Sequence, residues 1–280
     1  EELGMEFNIE ISPGGTDGDN IIKTRCASGD LADISNYNSG SLLTALNPKE
    51  HFLDLTDEAF SEKFDDTFKS CVMQEDRIYG APFTTTQAGA VVYWKPDYEE
   101  LGLKVPETWD EFVANCQALK DAGKAPVYLS AGKTWTTQVL FLGDNYNVLA
   151  KNPDFADEFT AGTAKFATDE GGLASWCKYE DLVDMYQEGA TAATYDDALE
   201  DMAVGAATHW IILTQVIPLM LVNHPEAEEN LGVFGVPGDD ADNHGLTVWE
   251  PNAWYINKDS ANAEAALAFL DFWNQEENID

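Results

Sequence analysis

The chain has 280 residues, 44% of them hydrophobic, enough to bury one large core or two ordinary ones. Its 51 Asp and Glu against 15 Lys and Arg leave a formal net charge of -36. So acidic a surface repels phosphate backbones and anionic membranes, which argues against nucleic-acid and peripheral lipid partners, and carboxylates spread over every segment serve first as a solvated coat.

Taken in chain order, strand and helix signals alternate throughout, which predicts α/β layers in preference to a sandwich or a bundle. Residues 5–11 alternate apolar and polar as a half-buried strand. Pro13-Gly14-Gly15 turns the chain, and Asp17 caps a helix to about Ser28 that Gly29 ends. Residues 31–35 read as a short buried strand, followed by the polar loop Asn36-Tyr37-Asn38-Ser39-Gly40 at its carboxyl end, where open α/β sheets place ligands. Phe60, Phe64 and Phe68 form a core stripe at four-residue spacing. Thr84-Thr85-Thr86-Gln87 interrupts a strand that continues through Trp94. Thr108 and Glu111 have the spacing of a capping box ahead of a helix that stops at Gly123.

Further along, residues 127–130 predict a short strand, with Trp135 at the strand-to-helix junction that follows. Residues 174–188 and 196–204 predict amphipathic helices, and residues 205–210 a small-residue strand ending in Trp210. Residues 231–237 and 246–256 predict two more strands, and residues 262–274 a closing helix. The longest apolar run, residues 210–222, is broken by Thr214, Gln215 and Pro218 and falls short of the roughly 20 residues of a membrane-spanning helix. Glu1-Glu2-Leu3-Gly4 has no basic and then apolar character, so a signal peptide is not expected within this chain.

Cys26, Cys71, Cys116 and Cys177 show no metal-ligand spacing, and no metal, cofactor or catalytic group is expected. The cysteines read either as buried thiols or as the pairs Cys26 with Cys71 and Cys116 with Cys177. Among the tryptophans, Trp109 and Trp176 read as core. A lone histidine such as His209 is a structural partner more often than a ligand contact.

Tyr79-Gly80-Ala81-Pro82, Tyr93-Trp94-Lys95-Pro96-Asp97, Leu101-Gly102-Leu103 and the run from Pro106 to Phe112 resemble the extracellular solute-binding proteins, family 1, the maltose-binding-protein-like substrate-binding proteins of carbohydrate ABC importers. Residues 27–34, 201–210 and 257–272 resemble further segments of that family in the same order, with Ala32 and Trp94 as departures from its usual proline and asparagine. The resemblance implies a two-lobed periplasmic-binding-protein-like fold (type II), each lobe a sheet flanked by helices, with a ligand cleft and hinge strands. Lobe one is then expected at residues 1–82 plus 250–280, lobe two at residues 87–248, and the hinge crossings near 83–86 and 249–251. It also implies a chain trimmed at both ends, without the family's late aromatic.

The activity so implied is extracytoplasmic capture of a mono- or oligosaccharide, with no chemistry on it, for delivery to transmembrane permease subunits. The protein is expected to be a monomer in the periplasm or lipid-anchored at a Gram-positive surface. Sugars present apolar C–H faces and hydroxyls, so their sites need aromatic platforms edged by amides, hydroxyls or carboxylates. Trp210, which matches the family's binding aromatic, leads the candidates, followed by Tyr37. Trp135 and Trp249 are further platforms at element ends, and Asn36, Asn38, Gln87, Glu250 and Asn252 are polar partners. Two other readings stand beside this one: the same fold taking a polyamine or other cationic solute, and a glycoside hydrolase or lyase built on paired carboxylates.

Overall fold

In the computed structural model, which describes residues 2–278, the chain divides into two compact units, residues 1–86 with 249–280 and residues 87–248. Unit 1 is built on a three-stranded antiparallel sheet in the order β1 (Ile34–Asn38), β10 (Asn252–Ile256), β4 (Ala81–Pro82), with a hairpin of β2 (Met73–Gln74) and β3 (Arg77–Ile78) beside it in sequence. The register pairs Ile34 with Ile256 at one end of β1 and Asn38 with Asn252 at the other. Phe52, Leu55, Val72, Tyr255 and Leu270 close its core. Phe60, Phe64 and Phe68 are buried there with ring centroids 5.9 and 5.2 Å apart, although Phe60 sits on a short 3-10 turn, Phe68 on a separate helix, Asp66–Val72, and Phe64 between the two.

Unit 2 carries a five-stranded sheet in the order β6 (Val127–Tyr128), β7 (His209–Leu213), β5 (Gln87–Trp94), β8 (Leu231–Gly235), with β9 (Thr247–Trp249) also on β5. β6 runs parallel to β7, whereas β5 is antiparallel to both β7 and β8. Central β5 is a continuous apolar run because helices and neighbouring strands cover it. The helix Trp109–Asp121 turns Trp109, Phe112, Cys116 and Leu119 into this core. Thr108 accepts from the Glu111 N–H at 3.3 Å, while Glu111 returns its bond to the Glu107 N–H at 2.8 Å, one residue outside a reciprocal capping box. Gly205, at φ 72°, brings the backbone against Trp94, where a Cβ would lie 2.5 Å from the indole nitrogen.

Several expected elements are displaced by pairing. Residues 5–11 form no strand: no neighbour offers them a ladder, and Ile9 and Ile11 stand 80% and 91% exposed. The strand expected at residues 31–35 lies at Ile34–Asn38, because its partner is β10, so Tyr37 is in a strand and not a loop. The strand expected at residues 205–210 begins at His209 and runs on to Leu213. The single strand expected over residues 246–256 breaks at Glu250–Pro251, where proline has no N–H for a ladder. The helix expected at residues 174–188 is Glu170–Leu182, started by Asp169, which accepts from the Gly172 N–H at 2.8 Å.

Trp176 is not core: it is 48% exposed, one position off the buried stripe of Gly172, Ser175, Lys178 and Leu182, and stacks on Phe141 and Tyr179. All four cysteines are free thiols, with Cys26 and Cys116 buried and Cys177 exposed. Apolar burial pushes the Cys116 thiol up to about 12.

Candidate functional site

Two groups of side chains collect the sequence candidates, one in each unit. In unit 1 the β1–β10 register brings Asn38 opposite Asn252, next to the turn through Glu250 and Pro251. The Ser39 N–H donates to the Pro251 carbonyl at 3.1 Å and its hydroxyl to the Glu250 carbonyl at 2.5 Å, tying the end of β1 to that turn. Glu250 is 8% exposed. Its Oε1 accepts from the Thr86 hydroxyl at 2.5 Å, and its Oε2 is buried without a hydrogen bond. Burial raises the Glu250 pKa, Thr86 opposes that shift, and Asp65 adds to it.

Strand alternation turns Tyr37 into the unit 1 core, 7% exposed, with Asp19 and Asn38 beside a hydroxyl that makes no hydrogen bond of good geometry. Burial first and Asp19 second push its pKa up. Asn38 donates to Asp19 at 3.4 Å. Exposed Asn36 donates to the Ala253 carbonyl at 3.4 Å, and Trp249 is half-buried at the end of β9.

In unit 2 the strand pairing buries the leading aromatic. Trp210 is the second residue of β7, opposite Val92, and only 1% exposed, with Tyr128 at 6.3 Å and Tyr195 at 5.7 Å. It is an interior support. The cavity behind it, bordered by Tyr128, Ser130, Leu140 and Tyr179, has about 20 Å³, room for roughly one water and no solute.

The partly exposed aromatics are one layer further out. Trp135 packs on Tyr195 at 5.3 Å, and Tyr195 opens the helix Tyr195–Ala203, whose start is locked by a capping box of Thr194 and Asp197. Gln215, the second residue beyond β7, lies beside the Tyr195 hydroxyl, which makes no hydrogen bond of good geometry. Because β5 and β7 are antiparallel, the start of β5 meets the end of β7. There the Thr214 hydroxyl accepts from the Ala88 N–H at 3.1 Å and donates to Gln87 at 3.4 Å. The resulting rim of Trp135, Tyr195, Thr214 and Gln215 pairs two flat aromatic rings with amide and hydroxyl groups, while Gln87, 4% exposed, is buried behind Thr214.

His209 lies outside this rim. It is fully buried, its Nδ1 donating to the Pro126 carbonyl at 2.7 Å and its Nε2 accepting from the Tyr98 hydroxyl at 2.7 Å. Desolvation lowers its pKa to about 4, so the ring is neutral and structural.

Reading the sequence missed Tyr195, Gln215, Thr86 and Asp19. A signal existed for two of them: Thr194 and Asp197 have capping spacing around Tyr195, and Thr214-Gln215 breaks the apolar run that begins at Trp210.

The model of the bacterial extracellular solute-binding protein family matches residues 6–279. The multiple sugar-binding protein of Streptococcus mutans is 26% identical over 239 residues, 83% of this chain and 56% of that protein. The chain thus spans little more than half the length of this curated relative. Among solved structures, RafE in complex with raffinose superposes with a TM-score of 0.78 at 22% identity, over 95% of this chain and 70% of that one. A Bacillus licheniformis sugar transporter in complex with stachyose gives 0.75 at 18% identity, over 99% and 72%. A chitin oligosaccharide binding protein gives 0.76 at 21% identity, over 91% and 64%.

Proposed function

The chain belongs to the bacterial extracellular solute-binding protein family, and from that membership we propose that it captures an oligosaccharide outside the cytoplasm and hands it, chemically unchanged, to the permease subunits of an ABC importer. The observation that carries the sugar reading is the unit 2 rim, where Trp135 and Tyr195 present partly exposed rings beside Gln215. Rings of this kind stack on the C–H faces of pyranosides, and amides satisfy their hydroxyls at the edges. The relatives that bind raffinose, stachyose and chitin oligosaccharide support the same ligand class.

In this reading Asn36, Asn38, Glu250 and Asn252 of unit 1 supply polar contacts, with Trp249 as a further ring, while Tyr37 and Trp210 hold these surfaces from within. Residues 83–86 and 249–251, where the chain leaves unit 1 and returns to it, are the hinge crossings, and hinge motion accompanies capture.

The test is a titration of intrinsic tryptophan fluorescence, confirmed by calorimetry, with raffinose, stachyose, chitin oligosaccharides and xylo-oligosaccharides alongside spermidine and amino acids. Saturable binding of at least one oligosaccharide is expected, weakened roughly tenfold or more by Tyr195→Ala or Trp135→Ala, as loss of a stacking face implies. The buried Glu250 carboxylate in a chain of net charge -36 favours a second reading, a cationic ligand. A response to spermidine alone would replace the first reading with the second.

A further inference from the structure

At the end of the unit 1 sheet away from Asn38 and Glu250, where Ile34 pairs with Ile256, the surface opens into a pocket of about 550 Å³. Five-residue strands set this end about 14 Å from Asn38. Phe52, Leu53 and Tyr79 provide an apolar floor, anchored where the Leu53 N–H donates to the Ile256 carbonyl at 2.9 Å. Around that floor stand Lys49, Arg77 and Lys258, three of only 15 Lys and Arg in the whole chain.

The backbone framing this pocket is strained. Among the described residues, the non-glycine positions with positive φ are Asn47 at 54°, Glu75 at 51° and Asp76 at 61°, and all three flank it. Asn47 precedes the short helix Pro48–His51, and Glu75-Asp76 forms the two-residue turn between β2 and β3. Such a turn favours glycine or asparagine, so a glutamate held there indicates a conformation kept for its geometry.

The cations are loosely committed. Lys49 meets Glu75 at 2.7 Å and Arg77 meets Asp54 at 3.4 Å, but the four side chains are 42% to 67% exposed, and screened pairs of this kind are readily exchanged. Among the described residues Lys258 pairs with no carboxylate, and its Nζ reaches only the Lys49 carbonyl at 3.5 Å.

We propose that this pocket is a second binding site, separate from the solute site, that takes an oxyanion: the carboxylate or phosphate group of a small molecule. Lys258 and Lys49 supply point charges, Arg77 supplies the planar fork that matches an oxyanion, and Phe52 and Leu53 receive the carbon skeleton. The ligand displaces Asp54 and Glu75 from their cations. The field of the remaining carboxylates repels an approaching anion until salt confines it to about 8 Å at 0.15 M, so affinity is greatest at intermediate ionic strength.

Equilibrium dialysis of the whole chain at fixed ionic strength, with labelled inorganic phosphate and separately with labelled citrate, tests this. Saturable binding of about one ligand per chain is expected, reduced roughly tenfold or more in Lys49→Ala/Lys258→Ala. Oligosaccharide binding by that variant is expected to be unchanged, and so is anion binding by Tyr195→Ala, which separates this site from the sugar reading. Saturation by phosphate alone identifies a phosphoryl ligand, and by citrate alone a carboxylate. Absence of saturation by either, or equal binding by wild type and double variant, would mean an adventitious ion only and overturns the site.

Discussion

Unit 2 gives most of its buried polar groups partners, whereas unit 1 leaves more of its own without them. In unit 2, Lys178 is 4% exposed, bonded to Asp144 at 2.5 Å and to the Pro237 carbonyl at 2.6 Å, and lies 4.8 Å from the centre of the Trp109 ring. Buried Asp97 accepts from Thr208 at 2.6 Å and pairs with Lys124 at 2.7 Å, and both nitrogens of His209 are satisfied. In unit 1, by contrast, the Tyr37 hydroxyl, Ser61 hydroxyl, Gln74 Oε1, Glu250 Oε2 and Trp254 Nε1 are buried without a hydrogen bond, against the Ser175 and Tyr195 hydroxyls in unit 2, counted among the described residues. A buried polar group left without a partner costs about 1–3 kcal/mol, so unit 1 carries more unmet polar capacity than unit 2. One of these groups, on Glu250, lies beside the sheet end that carries Asn38 and Asn252, whereas the Tyr37 hydroxyl is turned into the core.

The contrast breaks most directly at Trp210. From the sequence alone Trp210→Ala is expected to abolish binding and leave the thermal melt nearly unchanged. Its burial reverses that expectation: removing the indole empties the core of unit 2 and lowers stability by about 3–5 kcal/mol, read from urea unfolding. Lys178→Ala is expected to cost about 3–5 kcal/mol as well, because Asp144, 2% exposed at its side chain, is left as an uncompensated charge. Lys178→Met/Asp144→Leu, measured the same way, recovers much of that loss.

His209 gives unit 2 a pH signature. Its folded pKa of about 4 lies below the 6.5 of the free side chain, so between these values the unfolded chain binds the additional proton. Stability therefore falls as pH drops through that window, by about 3 kcal/mol at most. His209→Gln is expected to flatten this part of the profile of urea midpoint against pH, relative to wild type. The smallest effect has the opposite sign and belongs to unit 1. The folded pKa of Glu250 is raised, so its ionised form costs stability at neutral pH, and the cost is relieved as pH falls. Glu250→Gln keeps an acceptor for Thr86 and is expected to raise the urea midpoint slightly at pH 7, with the gain vanishing in acid. A larger loss from Glu250→Gln than from Lys178→Ala would end the distinction between a satisfied and an unsatisfied unit.

Much of the fold was legible because it is written locally. Thr108 starts its helix where the spacing says, Phe60, Phe64 and Phe68 are buried together, and β5 follows directly from the polar stretch ending at Gln87. The candidate site was less legible. Asn38, Glu250 and Asn252 do come together, but Tyr37 and Trp210 face inward, and Tyr195 and Gln215 went unnoticed. A shift of three or four residues in where a strand begins separates a platform from a core residue, and propensity does not resolve strand limits that finely.

The sequence by itself determined the family, through ordered motifs that need no coordinates, together with the acidic surface and most helices and strands, which follow from spacing and capping within a dozen residues. Only the tertiary structure decided which aromatic faces outward, how Thr86 reaches Glu250 across 164 positions, and how Lys49, Arg77 and Lys258 come to share one pocket. These depend on strand register and on contacts between distant segments, and side-chain facing reverses with every single-residue step along a strand.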